Sequence, residues 1–240
     1  MHSAESTLPP LLAFGAHPDD IEFGAGGIVA LETVAGRPVH FVVCSRGEAG
    51  TNGTPAQRTA EAEKAAALLG ATLEFIDLGG DAHFVPSLAH SLTIAAIIRQ
   101  VRPSLVLAPT VNENQHPDHA VLGKIVRNAA RLARYGGLTE LRTKPAHAIN
   151  TLLHYAITSD AEAVATSPVL VDVSSVVSAW TAAMAAHASQ GATRDYVELQ
   201  LTRARLHGLC AGVAHAIPLW PADPLIVNSL TALSHTARRF

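Results

Sequence analysis

A chain of 240 residues, 48% of them hydrophobic, is long enough for one α/β domain with a sizeable core. A formal net charge of -3 without a basic block argues against nucleic acid, and no apolar run approaches the ~18 residues of a membrane span. Residues 1–5 lack a basic stretch leading into an apolar one, so no signal peptide is expected, and two cysteines, Cys44 and Cys210, read as buried thiols of a cytoplasmic protein rather than a disulfide framework.

Short apolar runs alternate with longer segments of helical period. Residues 11–15 read as a strand and 21–36 as a helix stopped by Gly36. Residues 38–45 read as a second strand. Thr54-Pro55 then opens a helix, as N-cap and first residue, and Gly70 closes it. A third strand is expected over 72–78, a helix over 87–102, a fourth strand over 104–109 and a helix over 118–135 that ends at Gly136-Gly137. Four such units predict a mostly parallel sheet with helices on both faces, a Rossmann-like three-layer αβα sandwich. Gly24, Gly26 and Gly27 fall inside the first helix, not in the strand–helix turn, and read as close-packing positions rather than a phosphate loop.

Further on, a fifth strand is expected over 148–157 and a short one over 169–173. Ser174 or Ser175 would cap a helix over 176–189, and another helix covers 195–213. Residues 217–220 and 225–227 read as edge strands or a docking tail. The whole is read as a single domain over 1–240, a sheet–helix core at 11–136 with a C-terminal helical and short-strand extension at 137–240 packed on it.

Ligands of open α/β sheets bind beyond the carboxyl ends of the strands. The first strand runs into Ala16-His17-Pro18-Asp19-Asp20 and the second into Ser45-Arg46-Gly47-Glu48. The third runs into Asp77-Leu78-Gly79-Gly80-Asp81-Ala82-His83, and the fourth into Asn112-Glu113-Asn114-Gln115-His116-Pro117-Asp118-His119. Imidazole and carboxylate are zinc donors, and a catalytic zinc keeps three protein ligands and one open position. His17, Asp20 and one histidine of the fourth segment would supply them. Asp19 is then left to act as a base, and His116, if not a ligand, to donate a proton. A single His-Pro-Asp-Asp turn could merely stabilise a helix N-terminus. Two clusters on one sheet edge favour metal-assisted hydrolysis. Two histidines and a carboxylate also make the facial triad of non-haem Fe(II) oxygenases, which suits a free Asp19 less well.

The two motifs resemble those of the LmbE/PIG-L family of metal-dependent N-acetylglucosamine deacetylases. Residues 45–55, followed by Arg58, are similar to the segment after strand two in the bacillithiol-biosynthesis branch, which deacetylates N-acetylglucosaminyl-malate. The resemblance covers residues 11–119 and, more loosely, 196–208. It implies His17, Asp20 and His119 as zinc ligands, with Fe2+ as the alternative ion, and Asp19 as general base. It implies His116 as general acid, or as an imidazolium polarising the carbonyl, and Asp118 either orienting His116 or capping the fourth helix. Arg58 would bind a substrate carboxylate or else pair with Glu61 or Glu63, with Arg46 as second candidate for the carboxylate. Tyr196 would face the oxyanion or pack between helices. The partners implied are a small-molecule sugar substrate and further copies of the chain in a homo-oligomer, a hexamer being one form. At His187 the family more often carries an aromatic, so this residue is expected in the pocket, at a subunit contact or on a helix surface. The tail from 220 to 240 matches poorly, which leaves other N-acetylglucosaminyl conjugates, of inositol or chitobiose type, and a non-catalytic sugar-binding protein as alternatives.

Overall fold

The computed structural model describes residues 8–113, 116–163, 165–233 and 235–237. Residues 1–5, residues 238–240 of the tail, and Asn114 and Gln115 of the second motif lie outside the described residues. The strands are β1 (Leu11–Gly15), β2 (Val39–Val43), β3 (Thr72–Phe75), β4 (Leu105–Pro109), β5 (Thr151–Tyr155), β6 (Val169–Asp172) and β7 (Ala216–Pro221). The helices are α1 (Asp20–Val34), α2 (Pro55–Leu68), α3 (Leu88–Val101), α4 (Pro117–Ala133), α5 (Val177–Ala185) and α6 (Tyr196–Ala211).

All strands join one sheet in the order β3-β2-β1-β4-β5-β7-β6. Strands β1 to β5 are parallel, and β7 runs antiparallel to both β5 and β6. Apolar residues of α1, α2, α5 and α6 pack on one face of the sheet, and those of α3 and α4 on the other. Near-continuous apolar strands such as Leu11–Gly15, buried throughout, are what burial on both faces demands.

Local signals set the helix starts. The Thr54 hydroxyl accepts the Gln57 N–H at 3.2 Å, Ser87 accepts that of His90 at 3.0 Å, and Asp195 that of Glu198 at 2.9 Å. The three glycines of α1 are packing positions. A Cβ on Gly24 would overlap the Tyr155 ring, one on Gly26 would come within 2.7 Å of Trp180, and one on Gly27 within 2.9 Å of Ile217. The Trp180 indole also donates to the Glu22 carbonyl at 2.7 Å, which ties α5 to α1.

Four expectations change. Residues 217–220 belong to β7, which lies inside the sheet between β5 and β6, while 225–227 form no strand. The helix expected over 176–189 is shorter, a 3-10 turn at Ser174–Val176 followed by α5, with no side-chain cap. Ser174 instead donates its hydroxyl to Asp172 Oδ1 at 2.5 Å and accepts the His215 N–H at 2.9 Å, closing the turn after β6. Cys44 is buried, but Cys210 is exposed on α6. Among the described residues no helix is long and apolar enough to cross a membrane.

From β1 the chain builds β2 and β3 to one side, then crosses to β4 on the other. The crevice at this switch point lies beyond the carboxyl ends of β1 and β4, where both polar motifs emerge.

Candidate metal centre and catalytic cleft

The first motif is a turn bent through a strained residue. Asp19, a non-glycine, sits at φ 119 and ψ -25, a sparsely populated region that costs on the order of 1–3 kcal/mol. Its neighbours over-determine it. Asp20 Oδ2 accepts the backbone N–H groups of Ala16 at 2.8 Å and His17 at 2.9 Å. The Asp19 carbonyl accepts the Phe23 N–H at 2.9 Å, and Arg58 Nη2 donates to the Pro18 carbonyl at 3.0 Å.

Three side chains converge beside this turn, Asp20 turning Oδ2 to His17 and Oδ1 to His119. His17 Nδ1 lies 3.3 Å from His119 Nε2 and 3.5 Å from Asp20 Oδ2, and His119 Nε2 lies 3.0 Å from Asp20 Oδ1. Ligands held ~2.0–2.1 Å from one tetrahedral ion stand about 3.3 Å apart, so the trio already has the spacing of a metal site. His17, His116 and His119 also lie close enough to share an ion, as do His17, Asp81, His116 and Asp118.

The other nitrogen of His17 faces acids. Its Nε2 lies 3.0 Å from Asp81 Oδ1 and 3.4 Å from Asp118 Oδ2. Both carboxylates are tethered, Asp81 by the Ala49 N–H at 3.2 Å and Asp118 by the Ala82 N–H at 2.7 Å. Asp118 turns to His17, and its side chain does not cap α4, whose N-cap position is His116. Asp81, whose Oδ1 lies 3.8 Å from His116 Nε2, was not singled out in the sequence. Its position in the polar segment after β3 was the available signal.

Charge follows this geometry. Burial and then the Asp20 charge raise the Asp19 pKa to about 6, against the pull of Arg58, His187 and His17. Burial would raise Asp20 too, but the charges of His119 and His17 win and hold it well below the usual carboxylate range. Burial alone would lower His17, yet Asp20, Asp118 and Asp81 raise it well above the ordinary histidine value. His116 is lowered by burial and then by the charges of His17 and His119.

A cleft of about 300 Å³ opens over the centre, its lining including Asp19, Arg58, His116, Gln190, Arg194 and Tyr196. Arg58 is only 5% exposed. Its Nη1 donates to the Gly47 carbonyl at 3.2 Å, and its Nη2 also reaches Asp19 Oδ2 at 3.3 Å. Gly47 has φ +66, and a Cβ there would overlap the guanidinium, so both conformation and space require glycine. Arg58 thus braces Asp19 and pairs with neither Glu61 nor Glu63. Glu61 instead accepts the Ser189 N–H at 2.9 Å and its hydroxyl at 2.6 Å. Arg46 is absent from the cleft lining: its guanidinium sits 4.7 Å over the Phe75 ring and donates to Thr59 at 3.1 Å, which draws it to the β2–β3 edge. Tyr196 lines the cleft, its ring 5.7 Å from that of Phe23. His187 takes none of its expected places. It is buried behind α1, its Nε2 3.3 Å from Glu22 Oε1.

A family model described as PIG-L, GlcNAc-PI de-N-acetylase, matches residues 12–130. The chain is 30% identical over 198 residues to a Bacillus cereus protein named as a probable N-acetyl-alpha-D-glucosaminyl L-malate deacetylase 2, covering 72% of this chain and 80% of that one. It is 31% identical over 141 residues to the 4-oxalmesaconate hydratase of Pseudomonas putida, covering 52% of this chain and 53% of that protein, so the match spans about half the hydratase's length. In structure it is similar to a conserved protein of Thermus thermophilus, with a TM-score of 0.81 and 28% identity over 92% of this chain and 97% of that one.

Proposed function

Since the chain belongs to the PIG-L family of enzymes, we propose that it is a zinc-dependent deacetylase of an N-acetylglucosaminyl conjugate, with malate as the favoured aglycone. The observation that carries this reading is the convergence of His17 Nδ1, His119 Nε2 and Asp20 at 3.0–3.5 Å beside a strained Asp19. In this assignment His17, His119 and Asp20 would hold the ion, and both ring nitrogens of His17 are used, Nδ1 toward the ion and Nε2 toward Asp81 and Asp118. A bound zinc would lower the pKa of water and polarise the acetyl carbonyl.

The chain's own residues handle the protons. Asp19, its pKa raised by burial to about 6, takes a proton from the attacking water. A bond forms between the water oxygen and the acetyl carbon, and the amide C–N bond breaks. His116 gives a proton to the leaving amine, and its lowered pKa makes the imidazolium a stronger acid for that step. Arg58 holds Asp19 in place, Asp81 and Asp118 fix the His17 ring, and Tyr196, which lines the cleft, would donate toward the developing oxyanion.

The test is acetate release by the zinc-loaded protein from N-acetylglucosaminyl-malate, its inositol counterpart and diacetylchitobiose. The malate conjugate should turn over fastest, and no acetate from any of the three sinks the reading. Hydration of a carboxylate substrate is a second reading, favoured by the 31% identity to the hydratase. A hydratase forms no acetate, so the same assay separates the two.

A further inference from the structure

We propose that Arg194 is the residue that selects substrates carrying a carboxylate on the aglycone. The inference rests on the deacetylase reading and deepens it. Arg58 and Arg194 are the arginines that line the cleft. Arg58 is committed, its Nη1 to the Gly47 carbonyl and its Nη2 to Pro18 and Asp19, and Arg46 is drawn away over Phe75. Recognition of a substrate carboxylate therefore needs another cation.

Arg194 is exposed at the cleft mouth, and its guanidinium makes no hydrogen bond or ion pair among the described residues. Its Cζ lies 5.6 Å from the centre of the Tyr196 ring, a contact that uses none of its N–H groups. The adjacent Asp195 forms no ion pair with it, and its Oδ1 accepts the Glu198 N–H at 2.9 Å as the cap of α6. The segment that carries Arg194 is fastened to the loop after β2. Gln190 Nε2 donates to the Asn52 carbonyl at 2.9 Å, and Asn52 Nδ2 to Thr193 Oγ1 at 3.2 Å. A guanidinium with all donors free suits a carboxylate, which it binds through two parallel charge-assisted bonds. Sugar hydroxyls do not require that charge. Asp19, Asp20, Asp81 and the exposed Asp160 also line the cleft, so an anionic aglycone needs a cation beside it.

The test compares kcat and KM of wild type, Arg194→Ala and Arg194→Lys, all zinc-loaded, on N-acetylglucosaminyl-malate and on the neutral methyl N-acetylglucosaminide. Wild type should prefer the malate conjugate. Arg194→Ala should lose about ten-fold of that preference through KM, as expected for one charged hydrogen-bonding partner at an exposed rim, and Arg194→Lys should lose less. An unchanged ratio of kcat/KM between the two substrates, or a loss carried by kcat, overturns the assignment. If wild type releases acetate from neither substrate, the deacetylase reading fails by itself. Calorimetric affinity of the same two compounds then decides the role of Arg194: a ten-fold weaker malate conjugate in Arg194→Ala supports it, and equal affinity overturns it.

Discussion

Asp81 Oδ1 stands 3.0 Å from His17 Nε2, on the opposite side of the ring from the nitrogen that faces His119 and Asp20. A carboxylate in this place fixes the ring and raises the basicity of the far nitrogen. Asp81→Ala should therefore weaken zinc binding about 10–100-fold, measured by competition with a chromophoric chelator. Unchanged affinity would mean that Asp81 only ties the loops after β2 and β3 together, through Ala49.

Arg58 offers a sharper choice. As a brace for Asp19 it acts on geometry, so Arg58→Lys should lower kcat about 100-fold and leave KM within a few-fold. As a carboxylate receptor, the role the family resemblance implied, it would raise KM instead. Steady-state kinetics on the malate conjugate distinguish the two.

The comparison of residues with structure explains what could be read in advance. Helix starts at Thr54, Ser87 and Asp195 depend on a side chain and an N–H three residues on, so local sequence carries them. That His17 and Asp20 would meet a histidine of the fourth segment was legible because two dense motifs follow β1 and β4, which sheet order makes neighbours, while the choice of His119 came from the family resemblance. Asp81 was not, because it enters through a loop after β3 that also carries Asp77 and His83, and a loop has no periodic signal to choose among them. Arg46 and Arg58 look alike in sequence. Their fates are set by Phe75 and by Asp19 with the Pro18 and Gly47 carbonyls, contacts that only the folded chain supplies. The place of β7 between β5 and β6 was equally hidden, since an antiparallel return from the end of the chain has no local marker.

The packing of α1 on the sheet is tested away from the chemistry. A Cβ at Gly24 overlaps Tyr155, whose hydroxyl is fixed to the Phe14 carbonyl at 2.7 Å and whose ring is fully buried. Gly24→Ala should cost about 1–3 kcal/mol in urea unfolding. An unchanged midpoint would contradict the close packing.

The buried pair of Glu22 and His187 gives a pH dependence. Burial opposes charge on His187, but Glu22 outweighs it and raises the histidine pKa above its ordinary value. A raised folded-state pKa contributes stability that is fully present below the ordinary histidine value and lost as pH rises through the folded value. The urea midpoint of wild type should therefore fall relative to that of His187→Phe as pH rises above the ordinary histidine value. A constant or widening advantage for wild type would show that the pair carries no charge.

The central claim is that Asp19 is the base beside a zinc held by its neighbours, and Asp19→Ala addresses it directly. Zinc content and acetate release from N-acetylglucosaminyl-malate are measured on the same preparation. The account predicts zinc retained at the wild-type level with release lowered at least ~100-fold. Release near the wild-type rate with zinc in place would contradict it.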